Sequence, residues 1–166
     1  MPSDPRPPLL TVLGGGGFTF ETSVLFRDLA ADASFIYLAS KWAGIPGTDG
    51  LPAGETHPIP EAATIGRSSR VRTAKVFAVT FAKTLSILLR RRVNVVVTIG
   101  CSASIPMLIA ARVLGRRTVF IESITRGDKL SETGRLVYRL RLAETFVVQW
   151  PSLAAQFPRA IVGSLL

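Results

Sequence analysis

Apolar residues in this chain come in short runs closed by glycine, and the runs alternate between the spacing of a strand and that of a helix. Leu9 to Leu13 is mostly apolar and ends on Gly14-Gly15-Gly16-Gly17. From Thr19 to Ala31 the residues Leu25, Phe26 and Leu29 fall on one helical face, so the segment predicts strand, tight glycine loop and helix. Ser34 to Ala39 has the strand pattern again. Gly44, Pro46, Gly47, Gly50, Pro52 and Gly54 then make a long loop. Between Arg70 and Arg92, Val71, Ala74, Ala78, Phe81, Leu85 and Leu88 recur at steps of three and four, which predicts a long helix. Its last turn, Arg90-Arg91-Arg92, suits the negative end of the helix dipole.

Val93 to Ile99 is β-branched and almost continuously apolar, as a parallel strand covered on both faces should be, and it stops at Gly100. Ser104 to Leu114, closed by Gly115, predicts a helix. Residues 93 to 111 carry no charge and approach the length of a membrane span. Asn94, Gly100, Ser102, Ser104 and Pro106 interrupt that stretch, and the valine run favours strand, turn and helix. Thr118 to Ile121 and Thr145 to Val148 are further strands around a helical stretch near Leu136 to Leu142, and Ala160-Ile161-Val162 is short enough for a last one. The alternation predicts an α/β class with a mostly parallel, Rossmann-like sheet over residues 9–166, after an extended proline-containing tail over residues 1–8.

Composition narrows the classes. With 166 residues, 48% hydrophobic and 19% charged, the chain can build the core of one domain but is too short for a complete two-domain enzyme. One cysteine, Cys101, and one histidine, His57, supply neither an internal disulfide nor a structural zinc site, and nothing calls for a metal or another cofactor. The N-terminal residues lack the apolar core of a signal peptide. The net charge of +9 is regional: residues 62 to 121 hold eleven basic residues and no acid. That block implies an anionic surface met by one part of the molecule. A helix with an apolar face flanked by Arg70, Arg72, Lys75, Arg90, Arg91 and Arg92, and carrying Phe77 and Phe81, suits anionic lipid headgroups. No nucleic-acid module accompanies the charge, so nucleic acid is the weaker reading; a solvated face that packs on the sheet is the plain alternative.

Three further features carry candidate chemistry. Four glycines in a row let backbone N–H groups approach a phosphate at the start of a helix, although a turn needing positive φ also takes glycine. The dinucleotide fingerprint does not fit, because Thr19 occupies the third glycine position and no acid follows the second strand. Glu122-Ser123-Ile124-Thr125-Arg126 lies at a strand's C-terminal end, where ligands collect in open α/β sheets. Its carboxylate and guanidinium could orient a sugar hydroxyl, act as base or bind phosphate, or be a structural pair. Gln149-Trp150-Pro151 follows another strand end and is either a ligand-facing rim or packing of the indole; alone it favours packing. Cys101 lacks partners for a nucleophile, and His57 reads as a loop residue.

Taken together, the glycine loop with Thr19, the strand ending at Gly100, Phe120 to Arg126, Leu130-Ser131-x-x-Gly134-Arg135-Leu136-Val137-Tyr138, and Phe146 to Leu153 resemble one family. It is the acceptor-side, membrane-recruiting subunit of the split UDP-N-acetylglucosamine transferase of lipid-linked oligosaccharide assembly, with bacterial counterparts in capsular and exopolysaccharide synthesis. The resemblance spans Leu9 to Gly163. It implies the N-terminal half of a GT-B glycosyltransferase whose nucleotide-sugar half is a separate chain, acting peripherally or monotopically at the cytoplasmic face of the membrane. It also implies a polyprenyl-pyrophosphate acceptor near Gly14, Gly15, Gly16, Gly17, Thr19, Gly100, Ser102, Ser123, Arg126, Gln149 and Trp150. The family places His after the glycines where this chain has Phe18. A phenyl ring cannot take a proton, so the base lies elsewhere, with Glu122 the first candidate, or activity is altered or lost. A non-catalytic scaffold and a soluble nucleotide-binding enzyme are the alternatives.

Overall fold

A computed structural model describes residues 8–40, 43, 46–48, 50–61 and 69–164. Most of the expected tail, parts of the first long loop and Arg67 lie outside the described residues. Seven strands form one sheet: β1 (Pro8–Leu13), β2 (Ser34–Ala39), β3 (Glu55–Pro58), β4 (Val95–Ile99), β5 (Arg117–Ile121), β6 (Thr145–Val148) and β7 (Ala160–Val162). Every pairing is parallel and the order is β3-β2-β1-β4-β5-β6-β7. The connecting helices are α1 (Gly17–Leu29), α2 (Arg70–Arg90), α3 (Ser104–Val113), α4 (Glu132–Arg139) and α5 (Pro151–Gln156). The strand order reverses between β1 and β4, and ligands of such sheets bind in the crevice outside the strands' carboxyl ends at that switch.

Period-two alternation sorts the strand residues onto two cores. Leu10, Val12, Val96, Phe120 and Phe146 face α2 to α5 together with Leu88, Met107, Leu108 and Leu153. Leu13, Val97, Ile99 and Ile121 face the other way, where Phe26 of α1 stacks on Phe35 at 4.7 Å. Val95, Val119 and Val147 on this second face are only partly buried. Ile161, in register with Val147, is exposed.

Several elements differ from the sequence expectation. Glu55–Pro58 is an edge strand, so His57 sits on β3 rather than in a loop. The helix expected near Leu136 to Leu142 begins earlier, at Glu132, because Ser131 caps it by accepting a hydrogen bond from the Gly134 amide. Pro151–Gln156 is helical, with proline at its first turn. Residues 93–111 fold as strand, turn and helix, and no helix among the described residues is long and apolar enough to cross a membrane. Pro8 belongs to β1, not to a tail.

The core face of α2 also differs. Val76, Thr80, Thr84, Ile87 and Leu88 are buried, whereas Val71 is 80% exposed. Threonine can take the interior of a helix because its hydroxyl bonds back to the preceding turn, as Thr84 does to the Thr80 carbonyl at 2.8 Å. Those polar-looking positions shift the buried stripe and leave Val71 and Phe77 on the surface.

Candidate functional site: the crevice at the carboxyl ends of the strands

The loop after β1 is shaped by its glycines in two different ways. A Cβ on Gly14 would come within 2.7 Å of the Cys101 Cβ, so this glycine is needed for packing of two loops. Gly15 and Gly16 have φ of 78° and 56°, a left-handed backbone that favours glycine. Around Gly16 and Gly17, by contrast, a Cβ would meet open space. Helix α1 starts there with no side-chain cap and no acid in its first turn, so its partial positive charge is left for a ligand. Thr19 is buried behind this loop, and its hydroxyl has no hydrogen-bond partner among the described residues.

Phe18 occupies the position of the expected histidine. Gly100, with φ of 62°, ends β4 directly against this ring: a Cβ there would lie 2.2 Å from it. The Phe18–Gly100 contact fills the switch point with apolar surface. Cys101, next along, is buried, with its thiol 3.7 Å from the Ser104 hydroxyl. Burial pushes that thiol up, against hydrogen bonding that lowers it, so it is no nucleophile at neutral pH. Ser102 is partly exposed and lines a small apolar cleft of about 70 Å³ with Thr73, Val76, Phe77, Ile105 and Pro106, outside the glycine loop.

Glu122 does not reach the crevice. Its side chain is fully buried, one carboxylate oxygen accepts from the Ser123 amide, and the other accepts from the Ser131 amide and hydroxyl, each at about 3 Å. A Cβ on Gly134 would lie 2.0 Å from that second oxygen, which closes the cage. A general base has to approach the proton it removes, and this carboxylate cannot. Its geometry is that of a cross-link between the end of β5 and the start of α4. No ion pair joins it to Arg126 among the described residues, and Arg126 is exposed.

A second buried carboxylate, Glu21 on α1, organises the rim. Its oxygens accept from the Ser123 hydroxyl at 2.6 Å, the Ile124 amide at 3.1 Å and the Gln149 side-chain amide at 3.2 Å. Gln149 also donates to the Glu122 carbonyl at 3.0 Å, and the Trp150 indole donates to the Ile124 carbonyl at 2.7 Å. The loops after β5 and β6 are therefore tied to each other and to α1 through one carboxylate. Ser123 and Gln149 serve that scaffold, while Arg126, Thr125 and the half-exposed Trp150 remain at the surface of the same loops. Sequence reasoning missed Glu21, yet a signal was present. It precedes Leu25 and Leu29 at four-residue steps, so an acid stands on the apolar face of α1.

The chain matches a family model described as "Oligosaccharide biosynthesis protein Alg14 like" over residues 9–166. It is 27% identical over 186 residues to the "UDP-N-acetylglucosamine transferase subunit ALG14" of Yarrowia lipolytica, covering 99% of this chain and 83% of that one. The protein of the same name from Rattus norvegicus is also 27% identical, over 92% of this chain and 80% of its own. Among solved structures the fold resembles the Acinetobacter baumannii MurG with a TM-score of 0.62 at 17% identity, covering 89% of this chain and 42% of that chain. It also resembles the UDP-N-acetylglucosamine 2-epimerase of Rickettsia bellii, with a TM-score of 0.66 at 13% identity over 96% and 45% of the two chains. The chain thus spans less than half the length of these two structures, with the Rossmann-like fold of one half of a GT-B chain.

Proposed function

The chain belongs to the Alg14-like family of oligosaccharide biosynthesis proteins, and from that premise we propose that it is the acceptor-side subunit of a two-chain glycosyltransferase. It would bind a polyprenyl-pyrophosphate acceptor and present it for transfer of N-acetylglucosamine, or a related sugar, from a nucleotide sugar held by a separate chain. The observation that carries this reading is the open end of the glycine loop. Gly16 and Gly17 leave room for a ligand at an uncapped helix start, and Glu21 of the same helix ties to it the loops that carry the exposed Arg126 and Trp150. Backbone N–H groups and a guanidinium suit a pyrophosphate, and an indole suits a sugar ring or isoprene. Proton removal falls to a group other than Glu122, whose part is to hold the β5 loop.

Two surfaces support a partner and a membrane. The sheet face carrying α1 leaves Val95, Val119 and Val147 partly covered and Ile161 exposed, an apolar strip that a second chain could bury. Transfer should therefore require this chain and a nucleotide-sugar-binding chain together; appreciable turnover by this chain on its own contradicts the reading. The packing of Phe18 on Gly100 favours a second possibility, a subunit that recruits but takes no part in proton transfer. Phe18→His in the two-chain complex separates them, since a gain in turnover means that the site lacks only a base.

The membrane surface would be the N-terminal half of α2. Arg70, Arg72 and Lys75 are exposed there with Val71 and Phe77, and Phe77 stacks on Phe81 at 6.4 Å. Arg72 is partly neutralised by Glu61 at 3.0 Å. Arg90, Arg91 and Arg92 lie at the other end of a helix about 30 Å long. Replacing Arg70, Arg72 and Lys75 by alanine is expected to weaken sedimentation with anionic vesicles about tenfold or more, and to flatten its salt dependence. Unchanged sedimentation would remove this surface from the account.

A further inference from the structure

We propose that the basin between β3 and the C-terminal half of α2 binds a phosphate monoester. It is a cavity of about 410 Å³ lined by Glu55, His57, Lys83, Ser86, Arg90 and Arg91, in the size range of small-ligand sites. Lys83, Ser86 and Arg90 follow at steps of three and four and form one stripe of α2 facing the edge strand. The basin lies at the amino ends of the strands, since α2 ends there and leads into β4. It is thus separate from the glycine-loop crevice and does not depend on how that crevice is read.

Charge and existing contacts define the ligand. Three cations face one acid. Glu55 holds Arg91 at 2.7 Å and lies 3.0 Å from His57 Nε2, and Lys83 donates to the Pro58 carbonyl. The contacts of Arg91 and Lys83 fix those two side chains in advance, which lowers the entropy lost on binding. Arg90 and the Ser86 hydroxyl have no hydrogen-bond partner among the described residues, so a guanidinium fork and a hydroxyl remain for the ligand. The carbonyl end of α2 contributes about half a negative charge, which leaves the basin positive. A dianionic phosphate monoester matches that excess and that donor set better than a monoanionic diester. The source is either a lipid with a monoester headgroup or a soluble phosphate compound.

The test titrates the full chain with inorganic phosphate at constant ionic strength, and in parallel sediments it with phosphatidylcholine vesicles carrying phosphatidic acid or phosphatidylglycerol at equal surface charge. Arg90 is exposed, so Arg90→Ala should fold normally. Saturable phosphate binding is expected, weakened about tenfold in Arg90→Ala and unchanged in Arg139→Ala, an exposed arginine on α4. A preference for phosphatidic acid that Arg90→Ala abolishes assigns the monoester to a lipid. Phosphate binding without that preference assigns it to a soluble compound. No saturable binding to either probe, or equal losses in Arg90→Ala and Arg139→Ala, overturns the proposal.

Discussion

Glu122→Ala is expected to lower the unfolding free energy by about 2–5 kcal/mol and the melting temperature by roughly 5–15 °C. The alanine leaves the Ser123 and Ser131 amides buried without an acceptor and empties the cage under Gly134. Glu122→Gln should fall between, because its amide can accept from only one of the two sides while its NH2 faces a donor. Burial raises the Glu122 carboxyl above its ordinary value of 4.5, and hydrogen bonds from Ser131 and Ser123 with the Arg126 charge pull it partway back. A carboxyl raised in the folded state holds its proton more tightly there than in the unfolded chain. Its contribution is therefore fully present below the ordinary value and is lost as pH rises through the raised one. Urea denaturation across that range should show a falling slope for the wild type that Glu122→Gln lacks. Loss of transfer with unchanged stability would instead make Glu122 a reacting group.

Glu21→Ala should reduce transfer by the two-chain enzyme about a hundredfold, since small displacements of positioning groups carry effects of that size. The carboxylate holds the Ser123 hydroxyl, the Ile124 amide and Gln149, and through them the loop that presents Arg126 and the carbonyl that anchors Trp150. The loss should appear in kcat and in the acceptor KM, with the donor KM unchanged. Glu21→Gln keeps one acceptor oxygen and should recover part of the rate. A fall in stability with kinetics intact among the folded molecules would reduce Glu21 to a core residue.

The fold was legible in the sequence because each buried parallel strand announces itself. Val93 to Ile99 is apolar on both faces, and Gly14 and Gly100 mark where two strands stop. The edge strand β3 was not legible, since Glu55-Thr56-His57-Pro58 is polar and is a strand only because β2 offers it a partner. The α2 face was misread for a related reason: Thr80 and Thr84 count as polar in a periodicity but pack as core. At the site, spacing brought Glu122, Ser123, Arg126, Gln149 and Trp150 to neighbouring strand ends. It could not say which side chains point outward. Burial of Glu122 depends on Ser131 and Gly134 folding over it, a contact made by a later segment.

Separate measurement of acceptor and donor binding by this chain tests the proposed function most directly. Polyprenyl pyrophosphate in nanodiscs should bind the isolated chain, several-fold more weakly after Arg126→Ala, while UDP-N-acetylglucosamine should show no saturable binding until the second chain is added. Saturable binding of the nucleotide sugar by this chain on its own, with no affinity for the lipid pyrophosphate, would contradict it.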